Sequence, residues 1–167
     1  MKRLFLIRHA KSSWNDPEAS DFERKLNKRG KRDAPFMARQ LAGRTGAPDI
    51  LIASPASRAR KTAEIMADGV GYARKYIRFE KDVYDAGTQD LLRIVRSLDD
   101  ECRSAFVVGH NYAITDFAER LTGESLNNIP TSGIVAVDCG VDQWQRLAYG
   151  NCHLLFFDFP KNHAELR

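Results

Sequence analysis

Four short apolar runs, each followed by a helical stripe, constrain this chain more than any other feature. Residues 4–7, 50–53, 77–79 and 105–108 are of strand length, rich in Leu, Ile, Val and Phe, and close on polar or Gly/Pro-containing turns. Behind the first run, Ala34, Met37, Ala38, Leu41 and Ala42 recur at i, i+3, i+4, i+7 and i+8. Pro35 stands inside that stripe, so the helix is kinked there or starts near it. Ala59, Thr62, Ala63 and Met66 repeat the spacing, as do Leu91, Leu92, Val95 and Leu98. Ile114, Phe117, Ala118 and Leu121 form a fourth stripe, which Gly123 follows as a C-cap. Three later runs, 134–139, 144–149 and 153–157, read as strands joined by tight turns at 140–142 and 150–151. Strand–helix alternation implies a largely parallel sheet covered on both faces. The expectation is an α/β fold: a three-layer α/β/α sandwich with a mostly parallel central sheet and antiparallel strands at its C-terminal edge. Residues 1–167 are expected to form one domain.

Composition permits this and narrows little else. With 43% hydrophobic and 29% charged residues, the chain can bury a three-layer core. No apolar run approaches the ~20 residues of a membrane span. The basic start "MKRLFLIRHA" offers four apolar residues before Arg8 and His9 interrupt, which argues against a leader peptide. Cys102, Cys139 and Cys152 show no C-x-x-C spacing and read as reduced thiols of a cytoplasmic protein. Residues 1–44 hold twelve Lys/Arg against five Asp/Glu. Such an excess suits nucleic acid, an acidic protein or a phosphorylated substrate, but a solvated basic helix face ranks ahead of all three. Lys25, Lys28, Arg29, Lys31 and Arg32 are the candidates for a docking face. No aromatic residues interleave with them and no nucleic-acid motif is present, so nucleic acid ranks last. The residues set no oligomeric state.

In parallel sheets, ligands collect beyond the carboxyl ends of the strands, so the strand exits are read together. The first exit is Arg8-His9. The second, "LIASPASRARKTA", offers Ser54 as N-cap, Pro55 at the first helical position and Arg58 one turn in. The third, "AFVVGHNYAITDF", offers Gly109, His110 and a helix opening at about Asn111. Two arginines grip a tetrahedral phosphoryl group by bidentate bonds, and helix N-termini favour anions. Each residue alone has a plainer reading: a surface salt bridge, a core histidine, a solvated basic helix. The combination is the signal.

These segments, "IRHAKSSWN", "ASPASRARKTAE" and "VVGHN", resemble the signatures of the histidine phosphatase superfamily. The short length and the "RHAKSSW … DFERKLNKRG" opening resemble its small phosphohistidine phosphatase (SixA-like) branch, and the match runs through "PTSGIVAVD". The resemblance implies a metal-free, cofactor-free phosphoenzyme mechanism. His9 attacks phosphorus, Arg8 and Arg58 hold the equatorial oxygens, and His110 stabilises the same oxygens as charge moves. Asn15 and Ser12 match phosphate-binding positions of related mutases. The implied partner is a phosphorylated protein or a small phosphoester, with no membrane and no nucleic acid.

Two departures stand out. Ala10 replaces the glycine that usually follows the nucleophile, which costs little at φ < 0 and strains the chain at φ > 0. The customary Glu after the third strand is missing, leaving Asp82, Asp85 and Asp21 as candidate general acids, with Glu80 behind them. An alkoxide needs that acid, whereas an imidazole leaves with a pKa near neutrality. A missing acid therefore fits P–N cleavage better than P–O cleavage. The alternatives are a small-molecule phosphomonoesterase and, in another class, a catalytically weak phosphate-binding module.

Overall fold

A computed structural model describes residues 1–167. The strands are β1 (Lys2–Arg8), β2 (Ile50–Ala53), β3 (Arg78–Phe79), β4 (Ser104–Gly109), β5 (Ile134–Cys139) and β6 (Cys152–Asp158). The principal helices are α1 (Lys28–Ala42), α2 (Ser57–Val70), the single turn α3 (Lys81–Tyr84), α4 (Thr88–Arg96) and α5 (Ala113–Thr122). All six strands join one sheet in the order β3-β2-β4-β1-β5-β6. β1, β2, β3 and β4 pair in parallel, and β5 and β6 add antiparallel at one edge. This is the α/β sandwich expected from the alternation.

β1 shows why three layers form. Leu4, Phe5, Leu6 and Ile7 are all buried, and a strand turns successive side chains to opposite faces. Leu4 and Leu6 enter a core with α4 and α5; Phe5 and Ile7 enter another with α1 and α2. A strand apolar on both sides needs helices on both sides.

The helix stripes lie where their spacing places them, and the boundaries differ in instructive ways. α1 begins at Lys28, seven residues before Pro35, with the Asn27 side chain accepting from the Gly30 N–H. It therefore runs through the proline instead of starting near it. Gly30 is required there: a Cβ would lie 2.2 Å from the Lys11 carbonyl oxygen, so the helix start rests directly on the chain after His9. Ser54 is not an N-cap. Its N–H still donates to Val108 in sheet pairing, so α2 opens later, with Ala56 as cap and Arg58 in the first turn. α5 opens at Ala113, slightly later than expected, and Gly123 closes it at φ +74°. Residues 144–149 form no strand. Trp144–Arg146 make a 3-10 turn, because Trp144 and Leu147, three apart, are both buried on one side. The Trp144 indole N–H donates to the Cys102 carbonyl at 2.7 Å. No helix is long and apolar enough to cross a membrane.

Candidate active site

Strand register brings two histidines together. β1 and β4 pair Arg8 with Gly109, so the next residues, His9 and His110, leave the sheet side by side. The His9 N–H donates to the Gly109 carbonyl at 3.1 Å, and the imidazole centroids are 5.1 Å apart. β2 flanks β4 on its other side and delivers Ser54 and then Arg58. The sheet order therefore gathers Arg8, His9, Arg58 and His110, four residues spread over a hundred positions.

His9 is oriented by its own loop. Its Nδ1 stands 2.8 Å from the Ala10 carbonyl oxygen. A carbonyl only accepts, so Nδ1 carries the proton and Nε2 keeps a lone pair. Burial pushes the His9 pKa down to about 3, reinforced by nearby His110, Arg58 and Arg8 and opposed by the Ala10 hydrogen bond. The ring is thus neutral at pH 7. Ala10 sits where glycine was expected, without strain, since Asn127 and Ser132 are the non-glycine residues at positive φ. Its methyl packs with Leu26 and Ala34.

Burial also lowers His110, to about 4, with Arg58 and Arg8 adding and Asp21 opposing. Its Nε2 lies 2.8 Å from Ser54 Oγ. The Ser54 oxygen also accepts from the Ala56 N–H at 3.2 Å.

Arg58 is held from behind. It donates to the Asp21 carbonyl at 2.6 Å and to Asp21 Oδ2 at 3.0 Å. Asp21 also accepts from the Tyr84 hydroxyl at 2.7 Å and from Arg24 at 3.1 Å. Tyr84 foremost, then Arg58 and Arg24, hold its carboxyl down at about 2 against burial. Arg8 donates to the Ile129 carbonyl at 2.9 Å, and burial lowers its pKa below the ordinary arginine value. Thr62 ties the loop after His9 to α2: its Oγ1 accepts from the Ala10 N–H at 2.9 Å and donates within the helix to the Arg58 carbonyl at 2.7 Å.

Four buried polar side-chain atoms in the chain have no partner: Arg8 Nε, Arg58 Nε, His110 Nδ1 and Ser132 Oγ. All belong to this site, for the Ser132 N–H donates to the His9 carbonyl at 3.1 Å. Buried polar groups are nearly always paired. Donors left unpaired around a neutral nucleophile define a place for an oxyanion with several acceptor oxygens.

The remaining candidates lie outside this cluster. Ser12 is buried, with its hydroxyl on the Arg24 guanidinium. Asn15 is exposed and lines a hollow with Lys25 and Lys31 that does not include His9. Asp82 pairs with Arg93 at 3.3 Å, Asp85 is exposed, and Glu80 pairs with Arg78. Asp21 touches the site through Arg58 and as a firmly ionised group. Trp14 is 74% exposed beneath the Arg24 guanidinium. No three His, Cys, Asp or Glu side chains gather in ligand geometry. Ser54, Thr62 and Ser132 escaped sequence reading as parts of the site. Ser54 read as a cap and Thr62 as a stripe position; "TSG" carried no sign of the left-handed Ser132.

Comparison with known proteins bears on the family and the fold. Residues 4–83 match the Histidine phosphatase superfamily (branch 1). A protein of Mycobacterium leprae is 28% identical over 167 residues, covering 93% of this chain and 100% of that one. The crystal structure of a candidate phosphohistidine phosphatase SixA from Agrobacterium tumefaciens superposes with a TM-score of 0.82 at 28% identity, over 95% of this chain and 98% of that one. A protein histidine phosphatase SixA complexed with tungstate shares the fold at TM-score 0.82 and 22% identity, over 96% and 98%. With Arg8-His9, Arg58 and His110 gathered at adjoining strand exits, this chain is similar to the histidine phosphatase superfamily over residues 4–83 and to SixA structures over nearly its whole length.

Proposed function

We propose that the protein is a phosphatase that works through a phosphohistidine on His9 and removes phosphate from phosphohistidine on a protein. The observation that carries this reading is the pair of unpartnered guanidinium donors of Arg8 and Arg58, with His110 Nδ1 unpartnered beside them, around a His9 whose Nε2 is a free base. The Nε2 lone pair forms the N–P bond as the bond from phosphorus to the leaving atom breaks, and that atom departs with the bonding pair. Water then attacks the phosphohistidine, its oxygen bonds to phosphorus, and the N–P pair returns to Nε2. The protons of water end on the leaving group and the phosphate. Arg8 and Arg58 hold the equatorial oxygens, and the His110 imidazole donates to them as charge shifts. Two arginines supply the positive charge, so the reading requires no metal.

The leaving group argues for P–N cleavage. Asp21 is held ionised near pKa 2, Asp82 is engaged by Arg93, and Asp85 is exposed. An imidazole needs the least help in leaving. The similar Agrobacterium tumefaciens protein, a candidate phosphohistidine phosphatase, points the same way.

Two measurements test this. Incubation with a labelled phosphoryl donor should label the wild type and not His9→Ala, and the label should be acid-labile and alkali-stable. Turnover of a phosphohistidine protein should exceed that of alkyl phosphates in kcat/KM and survive chelation. Retained turnover in His9→Ala, or activity lost to chelator and restored by a divalent ion, overturns the reading.

A further inference from the structure

The basic segment after the nucleophile loop divides in the folded protein. Arg29 and Arg32 turn to Asp33, a buried carboxylate, at 3.4 and 2.9 Å. Their charge is spent on α1 itself. Lys25 and Lys31 make no ion pair; instead they meet Arg60 and Lys61 of α2. These four cations line a hollow of about 300 Å³ with Leu26, Ser57 and one acid, Glu64. Lys25, Lys31, Arg60 and Lys61 are all exposed. Arg60 stacks on Phe79 at 3.8 Å, which fixes its position without using its charge.

The placement relative to His9 follows from topology. A crossover helix runs antiparallel to the strands it links, so α1 and α2 both begin at the end of the sheet where β1 and β4 finish. Arg60 and Lys61 lie within the first five residues of α2, close to the buried Arg58, while Lys25 and Lys31 flank the opening of α1. The floor of the hollow, Leu26, packs on Ala10, directly after His9. The hollow nevertheless includes none of Arg8, His9 or His110. A phosphoryl group on His9 cannot fill it. An occupant of both places must extend across the surface between them.

We propose that this hollow, lined by Lys25, Lys31, Arg60 and Lys61, docks an acidic segment flanking the phosphorylated residue of a protein substrate. The inference rests on the phosphohistidine phosphatase reading and adds the side of the site from which substrate is recognised. Four cations against one carboxylate complement clustered Glu and Asp, and lysine stems adapt to carboxylates in varied positions. A rim contact of this kind acts on encounter and KM, is weakened by salt, and leaves the chemical step alone.

The test uses a short synthetic peptide carrying one phosphohistidine flanked by glutamates, and the same peptide flanked by glutamines. The wild type should prefer the glutamate peptide by about tenfold in kcat/KM at low salt, a typical electrostatic steering effect. The double variant Lys31→Glu, Lys61→Glu should lose that preference while hydrolysing p-nitrophenyl phosphate like the wild type. Equal kcat/KM for the two peptides in the wild type overturns the docking proposal and leaves the phosphatase reading standing. If neither peptide is hydrolysed, that reading fails, and fluorescence anisotropy of the unphosphorylated peptides decides docking alone. Glutamate-dependent binding that the variant loses supports it; its absence overturns it. A variant that keeps the peptide preference but loses binding to a DNA oligonucleotide with a steep salt slope assigns the hollow to nucleic acid and also overturns the proposal.

Discussion

Ser54 and His110 meet at 2.8 Å, Oγ to Nε2, where the second and fourth strands finish. The contact holds the His110 ring in place, and the Ala56 N–H, donating to the same Ser54 oxygen, holds the hydroxyl. Ser54→Ala removes that constraint. The expected result is a fall in kcat of about tenfold, somewhat less than for deleting a positioned donor outright, with KM changed less and the pH profile shifted. Ser54→Thr should recover much of the loss, and steady-state kinetics across pH of the three proteins checks this.

Acid should destabilise the fold through its two site histidines. The His9 and His110 pKa values are depressed from 6.5 to about 3 and about 4. The unfolded chain therefore binds protons below pH 6.5 that the folded chain refuses. The neutral-histidine contribution is complete above 6.5 and declines as pH falls towards 4 and then 3. Asp21, depressed from 3.8 to about 2, acts in a lower window and loses its contribution as pH falls from 3.8 through 2. Denaturant midpoints measured from pH 7 to pH 4 should drop for the wild type and much less for His9→Gln combined with His110→Gln.

Asp21 offers a clean contrast between orienting Arg58 and delivering a proton. As an orienting carboxylate, its replacement in Asp21→Asn should slow good and poor leaving groups alike, by about tenfold for a weakened charge-assisted hydrogen bond. Activity lost towards alkyl phosphates and kept towards p-nitrophenyl phosphate would instead make it the acid. The ratio of the two kcat/KM values is the measurement.

Thr62→Val keeps the shape and removes the bond that ties the nucleophile loop to the second helix, along with the hydroxyl's bond to the Arg58 carbonyl inside that helix. A buried Ala10 N–H left without its acceptor should cost about 1–3 kcal/mol. Thermal or urea unfolding reads the stability. Turnover should fall as well, since His9 and Arg58 lose their shared tie.

Inorganic phosphate or tungstate should raise the melting temperature of the wild type, by about 2.7 kcal/mol of stabilisation at a hundredfold excess over Kd. Arg58→Gln and Arg8→Gln should abolish most of that shift. An equal shift in the variants would place the anion elsewhere.

The sequence by itself determined the alternation of strand and helix, and hence a sheet covered on both faces. It also placed Arg8, His9, Arg58 and His110 at strand exits, because periodicity and strand ends are local properties. Leu4 to Ile7, apolar at every position, already required helices on two sides. The region 144–149 misled for the same reason: apolar residues three apart fit a buried turn as well as a strand, and only packing against Cys102 decided between them. Tertiary structure alone decided the sheet order and the register that sets His9 beside His110. It decided that Ser54 faces His110 instead of capping a helix, and that Asp21 reaches Arg58 from a loop thirty-seven positions away. It likewise split one basic run into arginines neutralised by Asp33 and lysines left to face the hollow. These relations join residues distant in sequence through hydrogen bonds and ion pairs, which exist only once the chain has closed on itself.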